Sequence, residues 1–206
     1  MPAETKHFSH ALPIAVLVSG TGTNLEALLK TVHGREAEVV AVASNVAGVP
    51  ALRRARVRKV PTRVFPRDAY ANRRERDEAM ADWLSGLGVR LVVLAGFMEL
   101  VSEPFLERFP DAVINIHPSP LPAFPGLKAI ERAIGERVET FGVTVHHVDR
   151  GIDTGQIILQ ESVELPGARD PSEVLKALRP IEHRLLPEAV RQIAAREAAQ
   201  DLALAA

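Results

Sequence analysis

Asn115 and His117 stand two residues apart at the end of an apolar run, in the segment INIHPSPLPAF over residues 114–124. Side chains two apart on a strand point to the same face. An amide donor and a titratable ring can therefore aim together at one small polar atom. Pro118 disfavours helix for His117 and holds it extended. The pair sits at the C-terminal end of an expected parallel strand, where open α/β sheets hold their ligands. A lone histidine is more often a satisfied structural group; this position favours chemistry instead.

Other stretches offer partners. SGTGTN, residues 19–24, follows an apolar run and opens a helix. Its glycines allow close backbone approach, and helix-start N–H groups attract anions, so a phosphate is its natural guest. It lacks the third glycine and following acid of a dinucleotide fingerprint, and the lysine of a P-loop. A plain strand-to-helix turn with Asn24 near the N-cap is the other reading. Asp153 and Asp149 both lie in the turn DRGIDTG. Either is an ordinary turn residue or a carboxylate partner that raises the pKa of His117. Arg73 lies in NRRERDE, which reads as a solvated helix face; Met98 also reads as core and Glu182 as surface. His146 and His147 are adjacent on a strand and face opposite ways, so they cannot share a metal, and no metal site is expected.

Short runs rich in Val and Ile alternate with helical patterns. Strands are expected at residues 14–19, 39–43, 62–65, 91–95 and 113–116, with helices at 24–33, 48–58 and 72–87. Ala79, Met80, Trp83, Leu84 and Leu87 share one face of the last of these. Continuous apolar strands imply burial on both faces, so helices cover both sides of a mostly parallel sheet. After a helix at 128–134, strands at 140–147 and 157–163 joined by a tight loop suggest an antiparallel C-terminal extension. A final helix runs over 171–198, and Pro180 and Pro187 should kink or break it.

The chain has 206 residues, 47% apolar and 25% charged, with no cysteine and a net charge of −1. That size buries a full core without staples, and the missing cysteines exclude disulfides and thiolate metal sites. A cytoplasmic location fits. No basic field calls for nucleic acid or a membrane surface, and no run has the length of a membrane span. Residues 1–12 read as a disordered tail rather than a signal peptide, and residues 13–206 as one domain.

Taken together, Gly20-Thr-Gly-Thr-Asn24, Ala95-Gly-Phe-Met98, the INIHPSPLP segment, Phe124-Pro-Gly126 and VHHVDRGIDTG ending at Gly155 resemble the phosphoribosylglycinamide formyltransferases of purine biosynthesis. The likeness runs over residues 13–194. The Asn-x-His-Pro-Ser and Asp-x-Gly segments belong to the wider folate-dependent formyltransferase group, and the early glycine turn to the glycinamide ribonucleotide enzymes. The resemblance implies a Rossmann-like α/β domain. Its N-terminal half binds phosphate and its C-terminal half binds folate. It also implies 10-formyltetrahydrofolate as co-substrate, small-molecule partners only, a monomer or homodimer, and a cis Leu121–Pro122 bond. Asn115, His117 and Asp153 match the catalytic trio. Gly22, Thr23, Asn24 and Glu182 match the ribonucleotide side. Arg73, Met98, Glu99, Leu100, Val101, Asn115, Asp149, Arg150, Gly151, Ile152 and Asp153 match the folate side. Glu99 departs from the family, which often has a basic residue after the methionine.

The implied reaction is direct transfer of the formyl group to the amine of 5-phosphoribosylglycinamide through a tetrahedral intermediate. Asn115 and protonated His117 stabilise the developing oxyanion. Asp153 orients His117 and passes protons through a water. Three rivals share parts of this pattern. A formyltetrahydrofolate hydrolase normally carries an added N-terminal domain. A methionyl-tRNA formyltransferase adds a C-terminal one. A non-catalytic nucleotide-binding module leaves the polar trio without a purpose.

Overall fold

The computed structural model describes residues 11–204. Seven strands form one sheet: β1 Leu12–Val18, β2 Ala37–Ser44, β3 Thr62–Val64, β4 Leu91–Leu94, β5 Val113–His117, β6 Thr140–His147 and β7 Ile157–Glu164. Their order across the sheet is β3-β2-β1-β4-β5-β6-β7. β1 through β5 pair in parallel, whereas β5–β6 and β6–β7 are antiparallel. The expected mixed sheet is thus the observed one.

Helices α1 Thr23–Thr31, α2 Pro50–Val57, α3 Arg73–Gly86, α4 Glu103–Arg108, α5 Ala129–Gly135 and α6 Pro171–Leu204 cover the sheet. Alternation along β1 divides the core in two. Ile14, Val16 and Val18 pack with residues of α1, α2, α5 and α6, while Ala15 and Leu17 pack with residues of α3 and α4. Both faces of β1 are therefore dry, which is why its sequence is continuously apolar.

The strands come close to their expected limits, but three features differ. A single 3₁₀ turn at Arg67–Ala69 and the six-residue α4 went unread. Both are too short to show a helical period. α6 continues through Pro180 and Pro187 rather than breaking. Its buried face, which includes Leu178, Ile181, Leu185, Leu186 and Val190, outweighs the lost hydrogen bonds, and Pro187 is itself buried. In α3 the buried residues are Arg76, Asp77, Met80, Ala81 and Leu84, so the expected stripe is rotated and Leu87 is partly exposed. The tail expected over residues 1–12 falls mostly outside the described residues, and Leu12 already belongs to β1. Among the described residues no helix is long and apolar enough to cross a membrane.

β1 has β2 on one side and β4 on the other, so successive connections leave it in opposite directions. A crevice opens there, at the carboxyl ends of the parallel strands.

Candidate active site

β5 delivers Asn115 and His117 to that edge, and β6 lies antiparallel beside it with Asn115 opposite His146. Directly opposed residues share a face, so His146 joins the pair. The segment after β6 folds back to bring in Asp153. Gly155 makes this possible: a Cβ there would lie 1.9 Å from the His147 carbonyl oxygen. Asp153 has φ 55°, a left-handed conformation that aspartate tolerates better than most residues. Asp149 accepts hydrogen bonds from Gly151 N–H at 2.9 Å and the Thr154 hydroxyl at 2.7 Å, and so builds the turn itself. Asp153 is therefore the acid that reaches the histidine.

The cluster is tightly drawn. His117 Nδ1 lies 3.2 Å from Asp153 Oδ2, and its Nε2 lies 2.9 Å from the Phe124 carbonyl oxygen. Asn115 Nδ2 lies 3.3 Å from Asp153 Oδ1 and 3.2 Å from His146 Nε2. His146 Nδ1 faces the His147 carbonyl at 2.8 Å, and its Nε2 faces both Asn115 Nδ2 at 3.2 Å and Asp153 Oδ1 at 3.4 Å. Gly126 N–H donates to Asp153 Oδ2 at 2.7 Å.

Burial alone would raise the Asp153 pKa. The hydrogen bonds from His146 and Gly126 and the charge of His117 outweigh it, and the carboxyl falls to about 2. His117 has acceptors at both ring nitrogens, the arrangement that suits imidazolium. Its burial nonetheless pulls it below its ordinary value, ahead of the raising effects of the Phe124 carbonyl and Asp153. The proline-rich loop after β5 is held from behind. The Thr144 hydroxyl donates to the Ser119 carbonyl at 2.7 Å, Gln160 Nε2 donates to the Leu121 carbonyl at 2.8 Å, and Leu121–Pro122 is cis.

A cavity of about 550 Å³ opens onto this cluster. Phe97, Leu100, Ile116 and Ile152 give it apolar walls, while Asn115, His117, His146 and Asp153 supply the polar end. Such a site suits a largely apolar ligand held in orientation by a few polar groups. All eleven residues expected on the folate side line it. Arg73 sits exposed at the start of α3, and Arg150 pairs with Glu103 on α4. Gly22, Thr23, Asn24 and Glu182 do not line it.

Those four residues meet elsewhere. Gly22 is the N-cap of α1 with φ 72°, and no side chain caps the helix. The first-turn N–H groups are thus left for an anion. A Cβ at Gly22 would lie 2.5 Å from Ala51 Cβ, so only glycine fits. Asn24 is buried and donates to Glu182 Oε2 at 3.2 Å, while its own Oδ1 has no hydrogen-bond partner among the described residues. Burial pushes the Glu182 carboxyl up, against the pull of Asn24 and Arg179.

Two features escaped the sequence reading. The sequence alone offers His146 only as a metal ligand; the β5–β6 register is the signal for its real position. Arg76 and Asp77, expected on a solvated face, are 1% and 0% exposed. Among the described residues no group of three or more His, Cys, Asp or Glu side chains can hold a metal.

Comparison with known proteins gives a consistent result. The family model described as formyl transferase matches residues 12–190. The phosphoribosylglycinamide formyltransferase of Haemophilus influenzae is 38% identical over 180 residues, 86% of this chain and 85% of that protein. The trifunctional purine biosynthetic protein adenosine-3 of Gallus gallus is 39% identical over 90% of this chain. The chain spans only 19% of that relative's length. The crystal structure of glycinamide ribonucleotide transformylase 1 from Symbiobacterium toebii superposes with a TM-score of 0.86 at 40% identity, covering 91% of this chain and 89% of that one.

Proposed function

The chain belongs to the formyl transferase family, and we propose that it transfers the formyl group of 10-formyltetrahydrofolate to the amine of 5-phosphoribosylglycinamide. The products are formylglycinamide ribonucleotide and tetrahydrofolate, in purine biosynthesis. The observation that carries this reading is the Asn115–His117–Asp153 cluster at the polar end of an otherwise apolar cleft. When bound, the folate supplies a formyl group activated on nitrogen.

The chain's own groups account for the rest. Charge develops on the formyl oxygen as the amine adds. Asn115 is the donor best suited to meet it, because its bonds to His146 and Asp153, at 3.2 and 3.3 Å, are long and readily exchanged. His117 lies beside that oxygen's site, and the developing negative charge favours its protonation at the moment of need. Asp153, ionised down to about pH 2, orients His117 and relays the proton that the amine loses, through a water, to the departing folate nitrogen. The open N–H groups after Gly22 suit the ribonucleotide phosphate, and Asn24 with Glu182 suits its polar body. The partners are small molecules, met in the cytoplasm by a monomer or homodimer, without nucleic acid or membrane. The net charge of −1 gives no electrostatic footprint for nucleic acid.

The test is acceptor dependence. Protein incubated with 10-formyltetrahydrofolate should release tetrahydrofolate only when glycinamide ribonucleotide is added. Release without the acceptor identifies a hydrolase. No release under either condition identifies a binding module.

A further inference from the structure

Resting on the folate reading of the cleft, we propose that Arg76 and Glu99 are positioning residues. Together they draw the segment 98–102 inward and set its backbone for the folate. Met98, Glu99, Leu100 and Val101 line the cleft. What holds them is a charged clamp behind the wall.

Arg76 is almost wholly buried on α3 and directs three of its N–H-bearing nitrogens at acids. Nε and Nη2 donate to Asp77 Oδ1 at 2.9 and 2.7 Å, and Nη1 donates to Glu99 Oε2. The other Asp77 oxygen accepts from Ser102 N–H at 2.7 Å. The other Glu99 oxygen accepts from Asn45 Nδ2 at 2.8 Å. Asn45 Oδ1 in turn accepts from the Ser19 hydroxyl at 2.6 Å, and Ser19 Oγ accepts from Met98 N–H at 2.8 Å.

The segment is therefore gripped at three points: the N–H of Met98, the side chain of Glu99 and the N–H of Ser102. The grip ties it to α3 and to the residues following β1 and β2. Both carboxylate oxygens of Glu99 are engaged within the protein. Glu99 acts through Arg76 and through its own backbone position.

Glu99→Gln in the full chain is the test. Arg76 and Asn45 donate to different oxygens of Glu99, and glutamine turns one of these into an NH2 donor, so one of the two bonds is lost. Tetrahydrofolate binding, read by calorimetry, should weaken about tenfold, and KM for 10-formyltetrahydrofolate should rise by a similar factor. The ribonucleotide KM and kcat should change less than about threefold. Asn45→Ala, which removes the bonds to Glu99 and Ser19 but leaves the Arg76–Glu99 pair, should move the folate constants in the same direction by less and serves if the first variant fails to fold. Unchanged folate constants in both variants overturn the positioning role. A uniform fall in every constant, in step with lost thermal stability, overturns it too, since that is what a purely structural pair would give. If the unaltered protein binds no tetrahydrofolate, the reading of the function fails and takes this inference with it.

Discussion

The molecule buries charge in two places along the same sheet edge, and the two are built differently. Around Asp153 the partners are two histidines and an asparagine, at 3.2 to 3.4 Å, and these contacts can be exchanged. Around Asp77 and Glu99 the partner is one arginine, always charged and with its acceptors already satisfied. The first cluster opens into the cleft and can answer a change of charge. The second lies behind the cleft wall and can only hold. A reactive site needs groups whose state can change; its scaffold needs groups whose state cannot.

The sharpest way to break this contrast is Arg76→Met. It leaves Asp77 buried without a cation, and should lower unfolding free energy by about 3–5 kcal/mol in a urea titration. A loss below about 1 kcal/mol would show that the clamp carries no structural role. Asn115→Ala should act on rate instead: kcat falls by about 10²–10³, on the order of 3–4 kcal/mol in the transition state, with substrate KM values little changed. A variant with near-normal turnover would remove Asn115 from the chemistry.

A smaller effect comes from linkage. Asp153 titrates near pH 2 in the folded chain against an ordinary value of 3.8. A depressed carboxyl contributes stability that is complete above the unfolded pKa and is lost as pH falls through the folded one. Asp153 thus contributes about 2 kcal/mol above pH 4 that disappears toward pH 2. The stability gap between the native chain and Asp153→Asn should close over that window; a constant gap would deny the linkage.

The mildest expectation concerns His117. Burial leaves its pKa below 6.5, so the protonated ring is favoured at low pH and lost as pH rises. The kcat/KM profile should therefore have a descending limb with a midpoint below 6.5 that vanishes in His117→Asn. A flat profile through pH 9 would deny the imidazolium a part.

Local pattern carried much of this molecule. Apolar runs such as residues 14–18 announced doubly covered strands, and the Asn-x-His spacing announced a shared face. What stayed hidden depends on partners far along the chain. Arg76 looks like any other charge in NRRERDE until Glu99, 23 positions on, and the Ser102 N–H meet it. His146 belongs to the site only because β6 runs antiparallel to β5 in a register that no single segment specifies. The unbroken α6 shows the same limit from the other side: two prolines are a local signal against helix, and the buried apolar face overrules them.

The hydrogen bond from Asn24 to Glu182 joins residues 158 positions apart. As the polypeptide leaves the ribosome, the glycine turn emerges well before α6. The turn must wait, incomplete, until α6 has been made. Contacts of such long range also slow spontaneous folding. A nascent chain halted before α6 emerges should therefore possess the loop but not the wall against which it closes.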